Sequence, residues 1–377
     1  MITYRTAKPE EREAYIEFAD MVFTDNGTDI SFEASIPKVY GSHVNSADMH
    51  NLAVDDEKGI RGLIAVMPNE LYAGGETLKI GFIGSVSVHP QARGEGHMKK
   101  LMKRCLDGMI AENVDIALLN GQRQRYEYFG YAKGGVAYFI DVETPNVRHA
   151  LKNVDAEGVT FEEIDENSPW AEPARALFER QPVRFRRDPK MFVDCCRTYL
   201  NRPWAILRSG EFAGYFVCNH EKNFIVENCT VSPEAFDAAI KAWMAKFGVG
   251  RVRLMFPEWE RKMLAHLGSY AENISMQAKV QSCVLNPRRV LAAMLRVKAE
   301  YAELEDGSMS FEIEGDRFTV SVRGGEVRVE DGGSDALCMN RLESTHLFMY
   351  PFLYEGRPAT PKGWFPLPLY AAAPDEF

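Results

Sequence analysis

The amino-acid sequence predicts an α/β (α+β) chain of more than one domain, on three observations. Strand and helix patterns alternate around a glycine loop in the first 140 residues, a fainter version of that order returns over 141–285, and from 286 a helix precedes strands joined by hairpin turns. At 377 residues the chain exceeds one ordinary core, since domains hold about 100 to 200 residues. Segments 1–140, 141–285 and 286–377 are the expected division.

In the first segment a short strand (Ile2 to Arg5) precedes an acidic helix from Pro9. A meander follows, over Asn51 to Val54, Ile60 to Val66 and Leu78 to Val88, with turn signals at Asp55-Asp56, Pro68-Asn69 and Gly74-Gly75. Met98, Leu101, Met102, Cys105 and Met109 recur at helical spacing, which predicts an amphipathic helix over His97 to Met109. Ile116 to Leu119 reads as the next strand.

In the second segment Trp204 to Leu207, Gly214 to Cys218, Phe224 to Val226 and Val252 to Phe256 read as strands, and Pro233 to Phe247 as a helix. Its junction, Val231-Ser232-Pro233-Glu234, lacks glycine and cannot bring backbone amides close to a diphosphate. In the third, a basic helix (Pro287 to Lys298) leads into strands Met309 to Ile313, Arg317 to Val322 and Glu326 to Glu330, turning at Glu314-Gly315-Asp316 and Arg323-Gly324-Gly325. The proline- and aromatic-rich tail from Gly363 to Phe377 is too apolar to float free and should dock.

Composition narrows the function. Hydrophobic residues at 46% and charged residues at 26% are globular values. No signal peptide or membrane span is visible, so a cytoplasmic protein is expected. The net charge of −10 disfavours nucleic acid and suits a cationic substrate. Seven cysteines, without a CxxC pair, argue against a disulfide framework and against a metal site, and read as buried reduced thiols.

The chemistry centres on Gln91-Ala92-Arg93-Gly94-Glu95-Gly96, set between a strand and a helix. Two closely spaced glycines let the backbone curl and aim several N–H groups at one anion, aided by the helix dipole, and Arg93 adds a donor fork. Val86-Ser87-Val88-His89-Pro90 precedes this loop, and Tyr126-Glu127-Tyr128-Phe129-Gly130-Tyr131 follows about thirty residues later. From Gly81 to Tyr131 the chain resembles motifs A and B of the GNAT acetyltransferase superfamily, with the loop matching its Q/R-x-x-G-x-G/A pattern.

That resemblance implies a mixed, mostly antiparallel sheet with flanking helices and acetyl-CoA as cosubstrate. Val86, Ser87 and Val88 would lie on a splayed strand that pairs with the pantetheine arm, and Arg93, Gly94, Glu95, Gly96, His97 and Met98 would surround the diphosphate. Tyr126, four residues before Gly130, would be the general acid that protonates the departing thiolate.

Over its full length the chain resembles the Eis (enhanced intracellular survival) family: an intact GNAT domain, a degenerate second GNAT domain, a domain similar to sterol carrier proteins, and a chain ending in Glu-Phe. This implies that the α-carboxylate of Phe377 deprotonates the amine, that Asp25 and Glu376 attract the cationic acceptor, and that the protein is a homo-oligomer, commonly a hexamer. His43, His50 and His89 are alternative bases. Cys105 is expected to be dispensable, because direct attack of amine on thioester needs no covalent enzyme intermediate. The rival reading is a non-catalytic carrier of CoA or lipid.

Overall fold

A computed structural model describes residues 1–28 and 30–377; Asp29, four positions after the acceptor candidate Asp25, lies outside the described residues. In chain order the elements used below are β1 (Ile2–Thr6), α1 (Arg12–Asp25), β2 (His50–Asp55), β3 (Gly59–Ala73), β4 (Glu76–Val88), α2 (His97–Ala111), β5 (Ile116–Leu119), β6 (Ala132–Glu143), β7 (Val159–Glu163), β8 (Arg202–Arg208), β9 (Glu211–Cys218), β10 (Phe224–Thr230), α3 (Pro233–Phe247), β11 (Arg251–Pro257) and β12 (Asn273–Val284). They fall into two compact units. One comprises 1–135, 280–369 and 376–377, and the other 136–279 and 370–375.

In the first unit β1, β2, β3 and β4 pair antiparallel in sequence order, and β4 then pairs parallel with β5. The far edge of β5 is covered by residues 281–284 of β12, with Gln281 opposite Leu119 and Val284 opposite Ile116. The mixed sheet therefore takes its last strand from a segment about 160 positions downstream. Leu78, Ile80, Phe82 and Ile83 of β4 are buried, as a central strand flanked on both sides requires. Against this sheet α2 packs Leu101, Met102, Cys105 and Met109, joined by Ile64, Ala117, Tyr126 and Cys283. Asp115, fully buried, accepts from the Lys79 N–H and from Arg289 of helix Pro287–Tyr301, which ties that helix to the same unit. A second sheet follows, with Gly307–Ile313, Asp316–Arg323 and Glu326–Asp331 antiparallel and Leu337–Met339 parallel to the first of these.

The second unit repeats the pairing pattern. Strands β7, β8, β9 and β10 run antiparallel, β10 pairs parallel with β11, α3 connects those two, and residues 137–143 of β6 cover the far edge. Its buried Arg187 is held by Glu227 and by Asp375, with N–H to oxygen distances of 2.8 and 3.0 Å to the latter, so the buried charge is paired.

Three expectations need correction. The Pro68-Asn69 turn is absent, because β3 runs straight through it with Pro68 opposite Gly81. Strands β6 and β12 went unread. Of the seven cysteines, Cys338 is exposed, on the short strand Leu337–Met339; the other six are buried.

Candidate active site

The end of β4 departs from its neighbour. The last pair is Ile83 with Leu119 of β5, yet β4 continues five residues to Val88, so among the described residues no strand pairs with the stretch from Gly84 on that side. The departure coincides with a bulge: Ala65 of β3 faces Gly84 and Leu63 faces Ser87, leaving one extra residue on β4. Ser85 takes it up at φ +50°, a conformation costly for a residue with a Cβ. Val86 and Val88 are half-buried on this stretch, and the Ser87 hydroxyl is buried without a hydrogen-bond partner among the described residues.

Beyond the strand, His89 accepts a hydrogen bond from the Gln91 N–H and starts a short turn. Gly94 (φ +90°) and Gly96 (φ +82°) then curl the backbone into α2, whose first N–H groups lack carbonyl partners in the helix. A Cβ on either glycine would meet nothing within 4 Å, so space lies open above the loop. Open space, bare helix amides and the orphaned Ser87 hydroxyl on an unpaired strand edge fit a long ligand carrying a diphosphate.

The loop side chains are already engaged. His97, buried at the start of α2, meets the Tyr4 hydroxyl at 2.8 Å and the Glu95 carboxylate at 2.9 Å, which leaves its backbone N–H as its free contribution to an anion. The latter contact turns the Glu95 charge toward the ring. Met98 is half-buried. Arg93 donates to Asp25 at 2.8 Å and to Asn26 at 3.2 Å at the C-terminal end of α1. Two residues assigned different tasks, one for diphosphate and one for amine, thus form one ion pair, with each side chain about half exposed.

Opposite the bulge, the end of β5 gathers the other candidates. Asn120 donates to the Glu376 carboxylate at 2.9 Å, and Gly121 is so close to Tyr126 that a Cβ on it would lie 2.4 Å from the ring. Tyr126 is buried, which pushes its phenol above the usual range, and it meets Tyr131 edge to face. Phe377 packs on Gly84, where a Cβ would sit 1.6 Å from its ring, and stacks on Tyr40 with centroids 6.1 Å apart. Both Glu376 and Phe377 are buried. Gly84, Ser85, Tyr40 and Asn120 were missed by sequence reasoning. A signal existed for Gly84, since glycine inside an apolar strand marks a bulge or a close approach.

Of the candidate bases, His43 is exposed and His89 caps a turn. His50 is fully buried, with Nδ1 2.6 Å from the Ser46 carbonyl and Nε2 3.1 Å from the Tyr40 hydroxyl, and burial lowers its pKa to about 4. Burial likewise pushes the Cys105 thiol up to about 12, which removes the thiolate a nucleophile would need. Because the folded pKa of His50 lies below its ordinary value of about 6.5, the unfolded chain binds the extra proton first on acidification. The stabilisation is complete above pH ~6.5 and lost as pH falls toward ~4, about 3 kcal/mol in all. Melts across that range should show a falling Tm, and His50→Gln should flatten the fall; an equally steep fall would remove His50 from the acid response.

Comparison with known proteins places this geometry. Residues 3–134 match the family model described as an acetyltransferase (GNAT) domain. Among solved structures, a GCN5-related N-acetyltransferase from Anabaena variabilis superposes with a TM-score of 0.69 at 16% identity, covering 93% of this chain and 91% of that one. A conserved protein of unknown function from Enterococcus faecalis, described as a probable N-acyltransferase, gives 0.67 at 16% identity over 92% and 90%. Eis1 from Mycobacterium abscessus gives 0.63 at 14% identity over 92% and 89%. No curated protein matches. At these identities the likeness speaks for the fold, and the fold is that of GNAT proteins.

Proposed function

We propose that the chain is an acetyl-CoA-dependent N-acetyltransferase acting on a primary amine of a cationic acceptor, such as an aminoglycoside, a polyamine or a lysine side chain. The supporting observation is the mouth formed where β4 leaves β5, with the Gly94 and Gly96 loop at one end and Tyr126 and Phe377 beside it. Acetyl-CoA would supply the activated acetyl group. The unpaired edge at Val86, Ser87 and Val88, the loop from Arg93 to Gly96 and the N–H groups of His97 and Met98 would hold it.

In this reading the Phe377 α-carboxylate, anionic at neutral pH, takes the proton of the incoming ammonium, and Glu376 adds a second negative charge. Tyr126 gives its proton to the leaving thiolate, and a phenol that burial makes a weaker acid keeps that proton until late. The division into a catalytic GNAT domain, a degenerate GNAT domain and a sterol-carrier-like domain, the Eis assignment, hexameric assembly and a cytoplasmic location belong to the same proposal. The repeated pairing pattern of the two units favours the tandem part of it.

Thiol release from acetyl-CoA, measured across a panel of polyamines and aminoglycosides, tests the reading. Turnover with any cationic amine supports it, and CoA binding without turnover across the panel leaves the carrier reading standing. Asp25→Asn separates two tasks for that residue. Because its carboxylate holds Arg93, the change should tighten CoA binding a few-fold, as Arg93 becomes available to the diphosphate. The amine KM should stay within about twofold, and stability should change by less than ~1 kcal/mol. Calorimetry and amine titrations read both; a large rise in amine KM with unchanged CoA affinity would return Asp25 to the acceptor.

A further inference from the structure

We infer that Tyr40, backed by His50, is a positioning residue for the acyl-transfer site: together they hold the Ser85 bulge of β4 in the conformation from which the strand leaves β5. The inference rests on the proposed function for its catalytic meaning, but its geometry stands apart from it.

Tyr40 ends the short helical turn Pro37–Tyr40, and its backbone carbonyl accepts from Arg12. Its hydroxyl lies 2.5 Å from Ser85 Oγ and 3.1 Å from His50 Nε2. The proton order has one solution. A carbonyl can only accept, so His50 Nδ1 carries the hydrogen that meets Ser46 O at 2.6 Å. A neutral ring then leaves Nε2 bare, and the Tyr40 hydroxyl must donate to it. The phenolic oxygen is thereby left to accept from the Ser85 hydroxyl. Tyr15 stacks on the imidazole at 4.1 Å and 19° and fixes its plane.

Every member is buried, so reversing any link strands a donor or an acceptor away from water. A network with one satisfied arrangement fixes the atoms at its end. That end is Ser85, whose left-handed backbone persists only where its surroundings enforce it. A network serving the core alone would have no reason to end on the extra residue of a bulge, two positions past Ile83, the last β4 partner of β5.

Tyr40→Phe removes only the hydroxyl and keeps the ring that stacks on Phe377. It should accelerate amide exchange at Ser85, Val86 and Ser87 at least tenfold and lower kcat at least tenfold, with CoA affinity within twofold. Ser85→Ala, at the outer end of the network, should do the same while leaving Tyr40 bonded to His50, and it serves if Tyr40→Phe folds poorly. The double variant should be no worse than either single one. Unchanged exchange at 85–87 in both single variants, or effects that multiply in the double variant, would overturn the inference. Exchange needs no substrate, so a protein without transferase activity would refute the proposed function and leave this inference to be decided by exchange alone.

Discussion

Replacing Gly84 by alanine should lower kcat by at least ~100-fold while leaving the protein folded and CoA affinity nearly intact. A methyl group there would lie 1.6, 2.0 and 2.6 Å from three atoms of the Phe377 ring, distances that no rotamer adjustment at alanine can relieve. Gly84 is not held in the left-handed region, so alanine fits the backbone and its three closest collisions are all with the ring. The ring must leave, giving up the ~1.5–3 kcal/mol that burying a phenylalanine contributes, and Phe377 moves away from the strand. If its carboxylate is the proposed base, losing that positioned group costs about 10² to 10⁴ in rate. Steady-state kinetics with calorimetry for CoA checks this; Gly84→Ala with normal turnover would detach Phe377 from the chemistry.

The second large effect is expected for Tyr126→Phe, which should reduce turnover ~10²- to 10⁴-fold. The hydroxyl makes no hydrogen bond to another described residue, and the ring contributes its packing against Gly121 and Tyr131. Phenylalanine keeps that packing and strands no buried partner, so stability should change by less than ~1 kcal/mol and the rate loss reads as chemistry. Thermal melts beside single-turnover measurements check both halves. A variant as active as the parent would remove Tyr126 as the acid.

What the sequence made legible was local. The order from β4 through the glycine loop to α2 and β5 could be read because each step is written in adjacent residues: alternation, two glycines, then helical spacing. What it hid was assembled from distant positions. Arg93 and Asp25 were both noticed, yet nothing in their 68-residue separation says that they meet at 2.8 Å. His50 looked like a base until burial removed its basicity. Tyr40 carries no pattern of its own, and its importance comes from what lies on either side of its hydroxyl. Gly84 was legible as a site of close approach, but the approaching ring belongs to a residue almost three hundred positions later.

The pairing of β5 with residues 281–284 bears on how the chain is made. On a ribosome adding about 5–20 residues per second, β5 emerges roughly ten to thirty seconds before the strand that covers it. Throughout that interval an all-apolar strand shows a bare edge to the crowded cell, an invitation to the wrong neighbour. A fragment cut at the boundary of the matched region, after residue 134, would keep that edge open permanently. Completion of the first unit's sheet thus waits until translation has passed through the whole of residues 136–279.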